Sequence, residues 1–314
     1  MSAPIFLPSA QAPRGAHVVI GNFDGVHRGH QRVFGDVAQA ARTSGRPVAG
    51  LSFWPHPALV LGRGAPPPML STLDERAALL QQHAGATLLV HPFTHAFSQL
   101  SPEAFVREVL CDALGVTAVS VGDDFRFGRG RAGDVATLRT LGAELGFEVV
   151  AHSLEGDAEG PFSSSRARSL LSAGDVCGAA NVLGRPHSLT GVVIHGDARG
   201  RTIGFPTANL AKVEQMIPAY GVYAVTVQRQ TEGRMEALGQ GVMNIGVRPT
   251  VDGKELRLEV HLFDLAQDLY GQTLRVELRE RLRGEQRFAG LPELMAQIQA
   301  DAVLARDVLS RLNV

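Results

Sequence analysis

Cysteine is scarce in this sequence: Cys111 and Cys177 are the only two in 314 residues. Two thiols so far apart exclude a disulfide scaffold and suit a reducing compartment. No stretch of about 18 apolar residues occurs, which excludes a membrane-spanning helix from the reading. The opening Met-Ser-Ala-Pro-Ile-Phe-Leu-Pro has neither a basic n-region nor a long apolar core, so no leader is expected and a cytoplasmic location is. Excess charge of either sign is also missing. The net charge is −1, which argues against a polyanion-binding surface and hence against a nucleic-acid partner. A Walker loop, Gly-x-x-x-x-Gly-Lys-Ser/Thr, is absent as well.

What is present describes a packed globular chain. Apolar residues make up 45% and charged residues 19%, and the length is that of two domains. In the first half, apolar runs over 18–20, 48–53, 87–90, 118–121 and 148–151 read as strands. They alternate with helical periodicity over 30–43, 73–83, 102–114 and 134–145. Alternation of this kind favours a parallel sheet with helices on both faces. Such sheets bind ligands beyond the carboxyl ends of their strands.

The stretch Gly21-Asn22-Phe23-Asp24-Gly25-Val26-His27-Arg28-Gly29-His30 lies at such an end. A strand, a glycine turn and a helix start together make an anion site, because free backbone N–H groups and the positive end of the helix dipole face the turn. His27 and His30, three apart, put two imidazole donors on one helix face. That arrangement suits a leaving pyrophosphate. A metal pair or ordinary ring packing are the other readings of two such histidines.

Three later segments sit at similar places. Phe53-Trp54-Pro55-His56-Pro57 is a proline-stiffened loop after the second strand, either a simple turn or part of a site. Residues 121–133 carry Asp123, Asp124, Phe125, Arg126, Arg129 and Arg131. Their Gly128-x-Gly130-x-x-Gly133 matches a dinucleotide fingerprint in form only, since it lies in the middle of the half and no acidic residue about 20 positions on terminates a second strand. Asp123 and Asp124 bind ligand or cap a turn. Ser163, Ser164 and Ser165 with Arg166 and Arg168 open another helix. Hydroxyls, free N–H groups and guanidinium together could hold a triphosphate.

After Gly184-Arg185-Pro186 the pattern changes to short β-type runs over 189–194, 222–228, 237–243, 256–263 and 273–278. These suggest a small antiparallel barrel, followed by one helix over 291–312. Gly191, Gly196, Gly200 and Gly204 lie within fourteen residues, which fits a glycine-rich hairpin or close backbone approach to phosphate. Thr207 and Asn209 just beyond offer oxygen ligands for a hard cation.

These motifs resemble, in order and over nearly the whole chain, the bacterial bifunctional riboflavin kinase/FMN adenylyltransferase family. His27-Arg28-Gly29-His30 resembles the His-x-Gly-His signature of nucleotidyltransferases. Residues 121–128 resemble Val-Gly-x-Asp/Asn-Phe-x-Phe-Gly, and 163–168 resemble Ser-Ser-Thr-x-Ile-Arg, with Ser165 for Thr and Ala167 for Ile. Gly204-Phe205-Pro206-Thr207-Ala208-Asn209 matches the riboflavin kinase motif without change. Asn244-Ile245-Gly246 and Leu269-Tyr270-Gly271 match further pieces. The resemblance implies a Rossmann-like nucleotidyltransferase domain over 1–185 and a β-barrel riboflavin kinase domain with a C-terminal helix over 186–314. It implies riboflavin, FMN and ATP as substrates, with Mg²⁺ or a similar cation on Thr207 and Asn209. Glu277, in the Val-Glu-Leu that follows Leu-Tyr-Gly, becomes the candidate base of the kinase; a lone strand carboxylate is otherwise merely solvated. His27, His30, Ser164 and Arg168 become the catalytic set of the adenylyltransferase. Gly21, Phe23, Asp24, Gly25, Pro55, His56, Asp124, Phe125, Ser163 and Ser165 become its ligand contacts. Gly196, Gly200, Gly204, Pro206, Asn244 and Tyr270 become those of the kinase. Two rival readings are a nucleotidyltransferase for another phosphorylated acceptor, which leaves the second half unexplained, and a flavin-binding module without catalysis.

Overall fold

The computed structural model describes residues 3–196, 204–250 and 253–312, with the backbone alone for 248–250 and 253–254. Contacts divide the chain into two compact units, Met1–Ser164 and Ser165–Val314.

The first unit is built from β1 (Ile5–Phe6), β2 (His17–Ile20), α1 (Arg28–Ser44), β3 (Val48–Trp54), α2 (Pro57–Val60), α3 (Leu73–Ala84), β4 (Thr87–Pro92), α4 (His95–Ser98), α5 (Pro102–Phe105), β5 (Ala118–Gly122), α6 (Val135–Leu145) and β6 (Glu148–His152). Its six strands are all parallel, in the order β1-β4-β3-β2-β5-β6. All four residues of β2 are buried, as continuous apolar strands of parallel sheets are. One face packs Val18, Ile20, Leu51, Val119 and Val121 against Val106, Leu110 and Leu138. The other packs Val19, Val48 and Val90 against α1 and α3 through Phe34, Val37, Ala38, Ala41 and Leu80. Those α1 residues recur at three- and four-residue spacing, the stripe of an amphipathic helix. Gly50 lets this helix layer close, because a Cβ there would lie 2.9 Å from the Phe34 ring and 3.1 Å from Leu80.

From β2 the chain runs to β3 on one side, and β5 returns on the other. The carboxyl end of β2 is therefore the topological switch point, where open parallel sheets bind ligands. The helix expected over 102–114 is split: α5 gives way to a π-helical stretch, Val106–Ala113, whose wider turns keep Val106, Val109 and Leu110 buried.

The second unit starts with α7 (Ser164–Ala173) and α8 (Val176–Leu183); the hairpin strands β7 (Gly156–Asp157) and β8 (Gly160–Pro161) precede them in the first. A closed antiparallel barrel follows, built from β9 (Ser188–Ile194), β10 (Ala208–Ala211), β11 (Gly221–Thr231), β12 (Arg234–Thr250), β13 (Gly253–Leu262) and β14 (Thr273–Arg283). Around the barrel the order is β10-β13-β12-β11-β14-β9. Tyr223, Val225, Val227, Met243, Ile245, Leu258, Val260, Val276 and Leu278 are buried on alternate positions, the inward face of small-barrel strands. Helix α9 (Leu291–Arg311) covers Val222, Ala224 and Val242 with Ala305, Val308 and Leu309. A nearly buried pair fixes it: Arg283 donates to both Asp301 oxygens at 2.7–3.0 Å, and Gln297 donates to the same carboxylate at 2.8 Å.

Candidate active sites

In the first unit the chain leaves β2 through a turn with three residues of positive φ: Phe23 at 52°, Gly25 at 79° and Val26 at 41°. A β-branched residue there is an outlier that its surroundings must enforce. They do so by burial and hydrogen bonding. Phe23 and Val26 are buried, and the Gly25 N–H donates to Ser71 Oγ at 2.8 Å. Ser164 Oγ donates to the Asp24 carbonyl at 2.7 Å, tying the serine segment to the turn.

The turn delivers His27 as the N-cap residue of α1 and His30 one turn further on. Their rings stack, with centroids 3.7 Å apart and planes 25° from parallel. Phe23 meets His30 edge-on at 5.4 Å. Both Nδ1 atoms are closed off from solvent with no hydrogen-bond partner among the described residues. Burial pushes the His27 imidazole down to about 4, against a smaller opposing pull from Asp24. Burial, and then the nearby His27 and Arg76, hold His30 well below its ordinary value. Both rings are thus neutral at neutral pH. Gly29 is needed for the stack, since a Cβ there would lie 3.1 Å from His27 Nδ1 and 3.3 Å from the Phe162 carbonyl.

Pro55 and His56 follow β3 on the same sheet edge. His56 Nδ1 caps α2 by accepting from Ala58 N at 3.2 Å, and its Nε2 lies 3.4 Å from the Asn22 amide. After β5, Asp124 is exposed, while the Phe125 and Phe127 rings stack at 5.5 Å. Phe127 belongs to an aromatic cluster with Phe105, Phe97, Phe53 and His91 at the carboxyl ends of β3 and β4. Only Phe53 and Phe127 of this cluster fell within motifs read from the sequence. His91 and Phe97 were visible only as aromatics just past a strand end, and Phe105 only as part of the helix expected over 102–114. Gly128 and Gly133 press on Pro102 and the Phe127 ring, so these glycines serve packing. Arg126 pairs with Asp134 at 3.0 Å on the surface. Ser163 and Ser164 belong to the first unit, and Ser165 and Arg168 to the second, on α7.

In the barrel, Thr207 and Asn209 lie at the start of β10, a four-residue strand that the sequence pattern did not reveal. Asn209 is in register with Glu259 of β13, and Glu259 with Asn244 of β12. Cross-strand partners share a face. Leu258, Val260, Leu210 and Met243 point into the barrel, so Asn209, Glu259 and Asn244 form an outward row across three strands. Arg257 approaches the Glu259 carboxylate at 3.7 Å. Gly196 lies directly against Asn209, with an added Cβ only 2.3 Å from the amide nitrogen. Pro206 accepts from His261 Nδ1 at 2.8 Å. Tyr270 stacks on His195 at 3.7 Å and lines a mixed polar and apolar recess with Val193, Thr207, Leu262, Asp268 and Leu269. Gly204 has φ 82°; Gly200 lies outside the described residues.

Glu277 is elsewhere. It pairs in register with Thr226 and Ser188, on a strand three positions from β13 in either direction around the six-stranded barrel. Its carboxylate accepts from Thr226 Oγ1 at 3.0 Å and from Arg279. β14 is also two positions from β10 through β9, where Glu277 pairs with Ser188 and Asn209 with Ile194 at the opposite end, so the register sets Glu277, expected as the base, apart from Thr207 and Asn209. The carboxylate it does bring there, Glu259, was missed. Its signal was strand alternation: Glu255, Arg257, Glu259 and His261 against Leu256, Leu258, Val260 and Leu262.

A second recess of about 530 Å³ lies between α9 and the segment before it, lined by Gln286, Arg287, Phe288, Glu293, Ala296 and Gln297. The preceding Glu285 reaches Gly246, where a Cβ would meet its carboxylate at 2.5 Å. Gly246 is two residues from Asn244, so this recess adjoins the polar row.

Comparison with known proteins follows the same division. The family model for FAD synthetase matches residues 9–166, and that for riboflavin kinase matches residues 183–309. The class is thus an enzyme that joins a flavin adenylyltransferase domain to a flavokinase barrel. A bifunctional riboflavin kinase/FMN adenylyltransferase of Escherichia coli K12 is 41% identical over 95% of this chain and 94% of its own. The protein of that name from Bacillus subtilis is 39% identical over 94% of this chain and 93% of its own. A solved structure described as a macrolide-efflux protein from Streptococcus pneumoniae shares the fold with a TM-score of 0.83, at 31% identity over 95% of each chain. The chain belongs to the bifunctional riboflavin kinase/FMN adenylyltransferase family.

Proposed function

We propose that the barrel transfers the ATP γ-phosphate to the riboflavin 5′-hydroxyl, and that the parallel-sheet unit then joins AMP from a second ATP to the FMN, releasing pyrophosphate. Membership of the family over both units carries this reading.

For the kinase step we assign the base to Glu259. A hydroxyl is a poor nucleophile until its proton is taken, and a carboxylate flanked by Asn209 and Asn244 can take it as the oxygen attacks. Thr207 and Asn209 beside it offer a hydroxyl and an amide oxygen. That donor set fits Mg²⁺, which binds through few protein oxygens and its nucleotide's phosphates. The close seat of Gly196 on Asn209 supports the fit, since it leaves the amide little freedom. When bound, the ion supplies charge neutralisation at the β- and γ-phosphates. Gly196, Gly200 and Gly204 would approach those phosphates, with Pro206 and Tyr270 beside the nucleotide. The open recess at Phe288 would take the flavin ring.

For adenylyl transfer the FMN phosphate is already anionic and needs no base. His27, His30 and Ser164, with Arg168, would stabilise the charge that develops on the pyrophosphate. The incoming polyphosphate favours protonated, doubly donating imidazoles. Gly21, Phe23 and Gly25 shape the turn, and Pro55, His56, Ser163 and Ser165 would line the nucleotide. Asp124, Phe125 and the aromatic cluster would hold the isoalloxazine ring. Asp24, expected as a ligand contact, has its carboxylate engaged inside the protein.

Gly184 ends α8 in the left-handed conformation and β9 begins at Ser188, which supports a functional boundary at 185/186. Contacts nevertheless group Ser165–Arg185 with the barrel. Two free thiols support a cytoplasmic location. The test is a time course with riboflavin, ATP and Mg²⁺, the flavins separated by chromatography. FMN that rises and then gives way to FAD is expected. Flavin binding without turnover in folded protein would overturn the reading.

A further inference from the structure

Neither site uses α3, yet α3 holds the strained turn. Thr72 and Glu75 form a reciprocal capping box at its start, which makes the first turn of this helix a firm support. One residue on is Arg76, 5% exposed. Its guanidinium donates to the Asn22 carbonyl at 3.1 Å, Asp24 Oδ1 at 2.8 Å, the Ser71 carbonyl at 3.0 Å and Ser71 Oγ at 3.3 Å. Asp24 is also held by the N–H groups of Leu70 and Ser71, each at 3.1 Å. Ser71, 1% exposed, donates to Asp24 and accepts from Gly25 N. A carbonyl, a carboxylate and an amide of residues 22–25 are thereby fixed from one helix end. These residues lie within the segment that contains the positive φ angles and leads straight into His27.

We propose that Arg76, acting with Ser71, is a positioning residue for adenylyl transfer: through the Asn22–Gly25 turn it sets where His27 and His30 meet the polyphosphate. This rests on the reading that the turn handles ATP in that reaction. Planar, multiply donating guanidinium suits the task, whereas lysine offers a point charge without the fork. Arg76 has a second effect through its charge. The groups acting on His30 are His27 and Arg76, with the Phe23 ring edge-on and Asp24 facing His27. Removing the Arg76 charge makes His30 easier to protonate, and because the protonated ring is the better donor to polyphosphate, the alkaline limb of the rate profile moves to higher pH.

The test compares Arg76→Gln, Arg76→Lys and Ser71→Ala in the full-length protein. FAD formation from FMN and ATP is measured against substrate concentration and pH, and FMN formation from riboflavin is the control in the same samples. Trp54, the only tryptophan, reports folding of the first unit. Arg76→Gln is expected to lower kcat for adenylylation about 10²-fold, the cost of a misplacement near 1 Å. KM for FMN and the kinase rate should stay within about threefold, since α3 touches neither. Arg76→Lys should recover part of kcat and restore the pH profile. Ser71→Ala should lower kcat about tenfold with the alkaline limb unmoved, and it carries the test if Arg76→Gln does not fold. Wild-type kcat in folded Arg76→Gln, or in folded Ser71→Ala where that variant carries the test, would overturn the proposal. So would an unmoved alkaline limb in Arg76→Gln, or equal loss of both activities. His30→Ala is run alongside. If it also leaves adenylylation intact, the reading of the turn itself has failed; if only His30→Ala loses activity, the positioning role alone has failed.

Discussion

The two proposed sites handle the same nucleotide with opposite chemical equipment. At the carboxyl end of β2 the nearest carboxylate, Asp24, is tied to Arg76, Ser71 and Leu70, and the groups left to face a ligand are two neutral imidazoles. On the barrel a carboxylate, Glu259, stands in an open row between two asparagines, with no histidine in the row. The difference follows the nucleophile. A phosphate monoester arrives charged, so its site needs donors for the leaving group. An alcohol arrives neutral, so its site needs an acceptor for a proton. The folds differ to match. A parallel sheet offers a switch-point turn and a helix start, which concentrate donors. An antiparallel barrel offers registered side chains on one face, which place an acid beside metal-binding oxygens.

The sharpest break of this contrast is Glu259→Gln. It keeps the shape of the row and removes the proton acceptor. FMN formation should fall by about 10²- to 10⁴-fold, with FAD formation from supplied FMN unchanged in the same tube. Parallel loss of both would mean that the two sites are not chemically separate. The converse variant, His30→Ala, should slow FAD formation by about 10²- to 10³-fold. Riboflavin would then be converted to FMN and stop there. Normal FAD yield would remove His30 from the mechanism.

The neutrality of the imidazoles has its own signature. Folded His27 titrates near 4 and the unfolded residue near 6.5. Above pH 6.5 neither state holds the proton, and the two states do not differ on this account. As pH falls, the unfolded chain takes up the proton first, so stability is lost between pH 6.5 and about 4 and is flat below. The loss is on the order of 3 kcal/mol for His27, and His30 adds in the same direction. Urea unfolding of the first unit, followed by Trp54 fluorescence at pH 7 and pH 4, should show it. A His27→Asn variant should lose correspondingly less over the same interval.

Much of this architecture was legible before any coordinates. The apolar runs of β2 to β5 are buried on both faces, so they stand out as uninterrupted segments. Gly25 and Gly204 announced special backbone, and the histidine pair announced its helix face. What was illegible depended on register. Glu277 and Glu259 both sit on alternating strands with an apolar residue on either side, and no local pattern says which one faces Asn209. Only the pairing of β10 with β13 decides it, and β10 itself is too short to carry a period. The knot around Asp24 was hidden for a similar reason. Its partners lie 46 to 52 residues away, and an aspartate in a glycine turn reads equally as ligand or scaffold.

The smallest expected effect separates the two carboxylates. Glu277→Gln removes a charge from a residue 18% exposed in its side chain, hydrogen-bonded to Thr226 and paired with Arg279. A partly buried pair of this kind contributes about 1 kcal/mol to stability, so a slightly lower melting temperature for the barrel is expected. The kinase rate should change by no more than about twofold, because a substitution remote from the reacting atoms acts only through the fold. The pH profile of FMN formation should be unmoved, since the proton acceptor is still in place. A rate loss as large as that of Glu259→Gln would restore Glu277 as the base. It would also require riboflavin to bind on the β14 side of the barrel, away from Thr207 and Asn209, and a crystal structure with flavin bound would show that at once.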